Sequence, residues 1–306
     1  MKPELSIVTP CYNEELSIRE CVVRLSKSLV EFGISFEHIL VNNASVDGTL
    51  EVLKELKKEF PHVRVLDNEF NVGAFRSMQR GITAAQGHLI VPFLAADCQD
   101  PPEVIPQMLR IRRETNCDTV AGVRKSRQDG LLISLFRKMF YRVLLLATKG
   151  RYKSGASEFR LMTTASALQL AAVQDSTPFL RVYMAQIQGR VVYLDYEMAE
   201  RNAGVSSTSF FPLVDDALNG IMLAAPSIFS RSLVFLAPVT VMSYLAVIVA
   251  VIGALIGWSP LAAILFPCVL ASAFLTLGSL QLVTGHYLYM VHSQLRSGPN
   301  ARTEEI

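Results

Sequence analysis

The sequence predicts an α/β protein: its amino-terminal part forms a mostly parallel sheet, and its carboxyl-terminal part forms a transmembrane hairpin. Through the first 123 residues, short apolar strand patterns alternate with amphipathic helix patterns of about ten to fifteen residues, which is typical of βαβ units. Between Arg231 and Arg296 the chain contains no Asp, Glu, Lys or Arg. We therefore expect one solvated domain and one segment embedded in lipid.

The predicted elements follow from the spacing of apolar residues between Gly, Pro and polar residues. Because strands and helices alternate, we expect neighbouring strands to lie parallel, with helical crossovers between them. In chain order the predicted elements are strand Leu5–Thr9, helix Glu15–Phe32, strand Glu37–Val41, helix Thr49–Glu59, strand Val63–Leu66, helix Ala74–Gln86, strand Leu89–Leu94, helix Glu103–Thr115 and strand Thr119–Val123.

Two apolar runs, Leu233–Ile256 and Leu261–Val283, predict the transmembrane hairpin. Each run exceeds the length of about 20 residues that spans a hydrocarbon core of about 30 Å. A pair of buried helices in a soluble protein is the alternative. Arg231 precedes the first run and Arg296 follows the second, whereas the turn around Trp258 carries no positive charge. The positive-inside tendency therefore predicts a multi-pass protein of the cytoplasmic membrane with both termini in the cytoplasm.

Two amphipathic segments before these runs indicate further membrane contact. The stretch from Leu131 to Thr148 is apolar but carries Arg137, Lys138 and Arg142, which suits a helix in the headgroup layer. The second segment runs from Phe211 to Phe229. Packing on the α/β domain or on a neighbouring subunit of a homo-oligomer is the alternative. The predicted organisation is 1–210 for the cytoplasmic domain, 211–232 for a juxtamembrane segment, 233–291 for two transmembrane helices and 292–306 for a cytoplasmic tail.

Composition narrows the class of protein. The chain is 51% hydrophobic and 18% charged, so it needs both an apolar and an aqueous environment. A net charge of +2 is too small to indicate nucleic-acid binding. The five cysteines show no CxxC pair or metal-binding spacing, so we interpret them as reduced packing residues. The amino terminus lacks the apolar core of a signal peptide, and we expect the α/β domain to stay in the cytoplasm.

Polar residues follow the predicted strands at the edge where open α/β sheets bind ligands. Asp97 and Gln99 come after the fourth strand, two residues apart, so their side chains point the same way. This arrangement suits a cation and a diphosphate. Tyr12 and Glu14 follow the first strand, where a ring can stack on a base and a carboxylate can meet a ribose or base donor. Asp47, after the second strand, is equally well explained as a helix cap.

Taken together, these motifs resemble the family 2 glycosyltransferases. Within them the chain is similar to the polyprenyl-phosphate glycosyltransferases, the group of dolichol-phosphate mannosyltransferase. The resemblance implies a GT-A fold, a nucleotide-sugar donor, a divalent metal (Mg²⁺ or Mn²⁺), and transfer of a sugar to undecaprenyl or dolichyl phosphate. It rests on Pro10-x-Tyr12-Asn13-Glu14, Ser45-x-Asp47-Gly48-Thr49, Asn71-x-Gly73, Asp97-x-Gln99-Asp100-Pro101-Pro102-Glu103, Phe159-Arg160-Leu161 and Arg201-x-x-Gly204-x-Ser206.

The resemblance also implies roles for individual residues. Asp97 and Gln99 match metal-binding positions. The positions that match the active site are Asp97, Glu158, Arg160 and Arg201. The positions that match nucleotide-sugar contacts are Pro10, Tyr12, Glu14, Asn42, Ala96, Asp97 and Arg124.

Three positions depart from the family pattern: Asn42, Asn43 and Ala95 stand where aspartates are usual. Since Mg²⁺ often binds one or two carboxylates together with substrate phosphates and water, Asp97 and Gln99 can suffice. The alternative is a non-catalytic family member that serves as a partner subunit in glycolipid or cell-envelope glycan assembly. A processive polysaccharide synthase is less well supported, because the chain has no QxxRW segment and only two predicted spans.

Overall fold

The computed structural model describes residues 2–125, 142, 145, 153, 155–174, 180–199 and 303–306, together with separate positions between 238 and 291. The chain divides into two compact units. One unit comprises Met1–Ala217 and Gly298–Ile306, and the other comprises Leu218–Ser297.

The first unit is built on a single sheet. Its described strands lie in the order β7-β5-β6-β4-β1-β2-β3-β8. The strands are β1 (Leu5–Cys11), β2 (Phe36–Asn42), β3 (Val63–Asn68), β4 (Leu89–Val91), β5 (Thr119–Arg124), β6 (Ala156–Thr163), β7 (Val191–Tyr196) and β8 (Thr303–Glu305). The helices are α1 (Ile18–Phe32), α2 (Thr49–Glu59), α3 (Ala74–Ala84), α4 (Ile105–Thr115), α5 (Thr164–Ala171) and α6 (Leu180–Gln186), with a short 3-10 helix at Pro102–Val104.

The prediction of a mostly parallel α/β sheet is confirmed. Strand β1 pairs in parallel with β2 and β4, β2 pairs in parallel with β3, and β5 pairs in parallel with β7. Antiparallel pairing is confined to β6, which lies between β4 and β5, and to β8. The carboxyl ends of β1, β2, β3, β4 and β5 therefore meet at one edge of the sheet.

Helices cover both faces of the sheet. On one face, Leu25 of α1 and Leu40 of β2 belong to a core that also includes α2 and α4. On the other face, Met78 of α3 packs with residues of α5 and α6. Helix α3 lies very close to β1, because a Cβ atom at Gly81 would lie only 2.2 Å from Val8 Cγ1. The apolar residues on both sheet faces explain the near-continuous hydrophobic strand patterns.

Most predicted boundaries agree with the structure to within a few residues, and α2 agrees at both ends. Helix α1 begins at Ile18 rather than Glu15, because the Ser17 and Ile18 amides donate to the Glu14 carbonyl in a preceding turn. Strands β6, β7 and β8 were not predicted. The four described cysteines, Cys11, Cys21, Cys98 and Cys117, are buried and unpaired, as expected of packing residues.

The last residues of the chain complete the sheet. Strand β8 pairs with β3 so that Glu304 lies opposite Asp67. Arg64 holds the strand through two hydrogen bonds to the Glu305 carboxylate, at 2.8 and 3.0 Å. The same guanidinium donates to the buried Glu37 carboxylate at 2.6 Å. The tail is thus tied to the domain formed by the start of the chain.

In the unit Leu218–Ser297 the described residues are mostly helical. Several of their apolar side chains are exposed, including Leu255 at 81% and Phe274 at 69%. Among the described residues, no helix is both long enough and apolar enough to cross a membrane. About half of the positions in each predicted span are described, and the transmembrane hairpin stays a prediction. The amphipathic segment at 131–148 lies largely outside the described residues, and the one at 211–229 lies wholly outside them.

Candidate active site

The loops after β1 and β2 are held together by side-chain to backbone hydrogen bonds. Asn13 has a left-handed φ of 57°. Its side-chain Oδ1 accepts from the Val46 backbone amide at 3.0 Å, and its backbone amide donates to Ser45 Oγ at 3.2 Å. Glu15 accepts from the Gly48 amide at 2.7 Å. The neighbouring Tyr12 side chain is 45% exposed. These hydrogen bonds therefore connect the two loops. The exposed ring of Tyr12 lies beside them, at the edge of the sheet where the carboxyl ends of the parallel strands meet.

Asp47 and Thr49 connect these loops to helix α2. Asp47 Oδ1 accepts from the Thr49 amide at 3.1 Å, and Thr49 Oγ1 accepts from the Glu14 amide at 2.8 Å. Partial burial opposes ionisation of Asp47, but the hydrogen bonds from Thr49 outweigh it and lower the pKa of this carboxyl. Asp47 thus binds the first amide of α2 from the position before the N-cap residue, Gly48. The Glu14 carboxylate accepts a hydrogen bond from Ser17 Oγ at 2.5 Å.

The two asparagines at the end of β2 are buried and bonded on both sides of their amides. Asn42, 2% exposed, donates to Asp67 Oδ1 at 2.7 Å and accepts from the Ser45 amide at 3.2 Å. Asn43, 3% exposed, accepts from the Val72 amide and donates to Asn71 Oδ1, both at 2.8 Å. Each amide uses a donor and an acceptor, which a carboxylate could not supply. Asn42 therefore joins the β2 loop to β3.

The candidate metal ligands lie in a tight turn after β4. Asp97 Oδ1 accepts from the Gln99 amide at 3.1 Å, and Cys98 between them has a left-handed φ of 56°. Asp97 and Gln99 are partly exposed, whereas Ala96 and Cys98 are each 3% exposed. The carboxylate and the amide are thus both accessible to a ligand, and their convergence on one cation stays a prediction. We call these three residues, 97 to 99, the Asp97–Gln99 turn.

Directly after this turn, Asp100 is fully buried and accepts from Arg124 Nε at 3.2 Å and Arg124 Nη2 at 3.0 Å. The Tyr196 hydroxyl also donates to Asp100, and its oxygen lies 3.1 Å from Ser157 Oγ. Burial alone would lower the pKa of Arg124, but the Asp100 carboxylate outweighs it and the net shift is upward. Burial and then the same carboxylate raise the pKa of Tyr196. Both partners of Asp100 remain protonated donors.

The remaining predicted residues lie further along the sheet. Pro10 is the penultimate residue of β1, beyond the part that pairs with β4, so its missing N–H interrupts no ladder there. Glu158 is partly exposed at the start of β6. Arg160 is 3% exposed and donates to the carbonyls of Ser157 and Met184, at 3.1 and 3.0 Å. Arg201 lies outside the described residues.

Residues 6–172 match the protein-family model described as Glycosyl transferase family 2. The chain belongs to glycosyl transferase family 2. This glycosyltransferase is 30% identical to an uncharacterized glycosyltransferase of Synechocystis sp., with 98% of this chain and 94% of the relative covered. The alignment therefore extends well beyond the domain that defines the family. Membership of this family identifies the protein as an enzyme that transfers sugars.

Two other relatives carry more specific names. A prophage-derived bactoprenol glucosyl transferase of Shigella flexneri is 27% identical over 97% of this chain and 96% of its own. The undecaprenyl-phosphate 4-deoxy-4-formamido-L-arabinose transferase of Proteus mirabilis is 28% identical over 99% of this chain and 94% of its own.

Among solved structures, glucosyl-3-phosphoglycerate synthase of Mycobacterium tuberculosis, in a complex with phosphoglyceric acid, is similar with a TM-score of 0.52 and 15% identity. This match covers 73% of this chain and 80% of that chain. The same synthase with Mn²⁺ and UDP-glucose gives a TM-score of 0.51 and 16% identity, covering 73% and 79%. At this identity the likeness establishes the fold alone, which is the GT-A-like α/β sheet predicted from the sequence.

Two residues that contact the predicted site residues were not identified from the sequence. Asp67, the penultimate residue of β3, lies opposite Asn42 in the parallel register, and it could have been found by extending the third predicted strand by one residue. Tyr196 ends β7, a strand that was not predicted, so only the structure could reveal that it contacts Asp100.

Proposed function

We propose that this glycosyltransferase moves one sugar from a nucleotide-diphospho-sugar to a polyprenyl phosphate, such as undecaprenyl or dolichyl phosphate. The observation that carries the proposal is that two relatives named for bactoprenol or undecaprenyl-phosphate transfer align with 97% and 99% of this chain. The family match itself covers only residues 6–172. The shared sequence thus includes the part of the chain that follows the donor-binding domain.

The described site supports binding of a nucleotide diphosphate with Mg²⁺ or Mn²⁺. No group of three or more His, Cys, Asp or Glu side chains suited to a metal occurs among the described residues. The Asp97 carboxylate and the Gln99 amide are hard oxygen donors, and Mg²⁺ commonly combines one or two such ligands with substrate phosphates and water. When bound, the cation supplies charge that stabilises the leaving diphosphate. We assign Tyr12 to stacking on the base.

The acceptor requires no strong general base, because a lipid phosphate is already an anion at neutral pH. The larger task for the protein is to bring two anionic phosphates together. Arginine can hold phosphate oxygens with paired donors. Because Arg160 bonds to backbone carbonyls, we assign the phosphates to Arg201 instead, on the resemblance to the family pattern. Glu158 lies near the start of β6.

We propose that the enzyme is a multi-pass protein of the cytoplasmic membrane with its sheet domain and both termini in the cytoplasm. Leu255 and Phe274 expose apolar side chains in a segment without charged residues, which favours lipid as the surrounding medium. Residues on both sides of Leu218–Ser297 belong to one sheet, through β8 and β3. If that segment enters the bilayer, it must leave it on the same side, so the number of crossings is even.

Transfer can be tested with the full chain in detergent, undecaprenyl phosphate, a panel of radiolabelled nucleotide sugars, and Mg²⁺, Mn²⁺ or a chelator. We expect one labelled sugar per lipid phosphate, loss of product with the chelator, and loss with Asp97→Asn. Asp195→Asn, an exposed carboxylate on strand β7, is the matched control and should retain activity. Donor hydrolysis without labelled lipid, or equal activity in both variants, would contradict the proposal.

The membrane topology has its own test. A cysteine introduced at Ser259, in the predicted turn, should react with an impermeant maleimide in spheroplasts. A cysteine at the exposed Lys2 should react only after the membrane is permeabilised. Reaction of both sites in intact spheroplasts, or of neither, would be evidence against the proposed orientation.

A further inference from the structure

The chain changes environment sharply at the end of the Asp97–Gln99 turn. Asp97 and Gln99 are partly exposed, but the next residue, Asp100, is fully buried. A buried carboxylate is stable only when cations and hydrogen-bond donors surround it. Whatever holds Asp100 therefore also fixes the backbone from which Gln99 projects.

Three strands converge on this carboxylate. Arg124 is the last residue of β5, Tyr196 is the last residue of β7, and Ser157 is the second residue of β6. Arg124 donates to both oxygens of Asp100, and the Tyr196 hydroxyl links Asp100 to Ser157. Ser157 in turn donates to the Gly122 carbonyl at 3.1 Å. Asp100 is thus held by groups at the ends of three adjacent strands.

Two further contacts hold the flanks of the turn. The Ala199 amide, three residues after Tyr196, donates to the Gln99 carbonyl at 3.1 Å. On the helix side, Arg24 of α1 donates to both oxygens of Glu103, at 2.8 and 2.9 Å. The two acids that follow the turn, Asp100 and Glu103, are therefore each bound to an arginine, and Asp97 and Gln99 lie on the exposed side.

We propose that Asp100, Arg124 and Tyr196 are positioning residues, which hold Asp97 and Gln99 in the geometry that binds a divalent cation. Arg124 then acts on the reaction through Asp100 rather than by contacting the nucleotide, because the hydrogen bonds that its guanidinium makes to the described residues go to Asp100 and Tyr196. The effect on sugar transfer rests on the proposed function, whereas the effect on cation binding does not.

The test is the affinity of the full chain in detergent for Mn²⁺ alone, measured by electron paramagnetic resonance of the unbound ion. Tyr196→Phe removes one hydroxyl and keeps the ring that packs against Phe159. Removing an outer partner of a metal ligand typically weakens metal binding by about 10- to 100-fold. Because Tyr196 acts on the ligands one step further away, through Asp100, we expect the lower end of that range, about tenfold. Lys125→Gln is the matched control: it removes an exposed ion pair with Glu197 and should leave the affinity unchanged.

Arginine variants test the route through Asp100. Arg124→Gln should weaken Mn²⁺ binding at least as much as Tyr196→Phe, and Arg124→Lys should restore part of it because the charge beside Asp100 is kept. Combining Tyr196→Phe with Arg124→Gln should cost little more than Arg124→Gln alone, since both act on one carboxylate. If Arg124→Gln does not fold, as judged by thermal unfolding, the folded Tyr196→Phe protein decides the question.

The proposal is overturned if wild-type protein does not bind Mn²⁺, or if Tyr196→Phe binds it as tightly as wild type. It is also overturned if Arg124→Gln raises the KM for donor but leaves Mn²⁺ affinity unchanged, because that result indicates direct nucleotide contact. A wild-type protein that binds Mn²⁺ but transfers no sugar to lipid would refute the proposed function and leave the positioning role intact.

Discussion

Replacing Asn42 by aspartate, the residue usual in the family at this position, should destabilise this particular chain. The Asn42 amide donates to Asp67 Oδ1 at 2.7 Å, and Asn42 is only 2% exposed. Asn42→Asp removes that donor and places a second carboxylate against the first. At 2.7 Å and an effective dielectric constant of about 20, the repulsion would be about 6 kcal/mol. The pair instead takes up a proton, which also restores a hydrogen bond.

The cost at neutral pH is therefore the cost of protonating the introduced carboxyl. For an ordinary pKa of about 3.9, this amounts to about 4 kcal/mol at pH 7. The pKa of the introduced carboxyl is raised in the folded state, so stability is retained below about pH 3.9 and lost as the pH rises. We expect the deficit to shrink to about 1.5 kcal/mol at pH 5.

Thermal unfolding of the full chain in detergent, followed by far-UV circular dichroism, measures this effect. A loss of about 4 kcal/mol corresponds to a fall in Tm of about 8 to 16 °C. Asn43→Asp makes the same chemical change one residue away. Its amide donates to the exposed Asn71, which can rotate, so we expect a loss near 1 kcal/mol. Combining Asn42→Asp with Asp67→Asn reverses the pair and should recover most of the loss.

Equal falls in Tm for Asn42→Asp and Asn43→Asp would refute this reasoning. They would show that repulsion from the Asp67 carboxylate does not determine the loss of stability at position 42. Failure of the reversed pair to recover stability would refute it independently.

Three other predictions concern the sheet. Arg64→Ala leaves the Glu37 carboxylate buried without its cation and should cost about 3 to 5 kcal/mol in thermal unfolding, whereas Arg64→Lys, which keeps the charge, should cost less. Gly81→Ala places a Cβ 2.2 Å from Val8 and should cost about 1 to 3 kcal/mol, part of which Val8→Ala should recover; unchanged stability would contradict the tight packing. Burial lowers the pKa of His38 from 6.5 to about 3, so below about pH 6.5 the unfolded chain binds a proton that the folded chain does not. Stability should therefore fall by up to about 1.4 kcal/mol per pH unit on acidification, and urea unfolding between pH 7 and 4 should show a flatter dependence for His38→Gln.

The first half of the fold could be predicted because its signals are local. Strands such as β1 and β2 are apolar runs bounded by turn residues, and α2 has a regular amphipathic period. Strand β8 carries no such signal: its sequence is Thr-Glu-Glu, and it forms only because Arg64 and the edge of β3 accept it. Interactions between residues so far apart in sequence cannot be detected from hydrophobic spacing.

The candidate site divides in the same way. Asp97 and Gln99 could be singled out because they follow a strand two residues apart, and the structure shows that they belong to one turn; their role in metal binding stays a prediction. The side chain that holds the adjacent Asp100 could not be predicted, because Tyr196 lies 96 residues away on a strand with weak apolar alternation. Amides at positions 42 and 43 weaken the match to the family pattern in the sequence, but in the fold they donate to acceptors in β3 and in the loop that follows it.

Strand β8 can join the sheet only long after its partner, β3, has been synthesised. Arg64 and Glu305 are 241 residues apart. At a translation rate of about 5 to 20 residues per second, β8 is therefore synthesised about 12 to 48 s after β3, and one edge of β3 is unpaired during that time. An open edge of that kind is prone to pair with other nascent chains. Arg64 lies at that edge, and its charge is only partly neutralised by Glu37. A charged side chain at an edge disfavours pairing with a strand of another chain before β8 is synthesised.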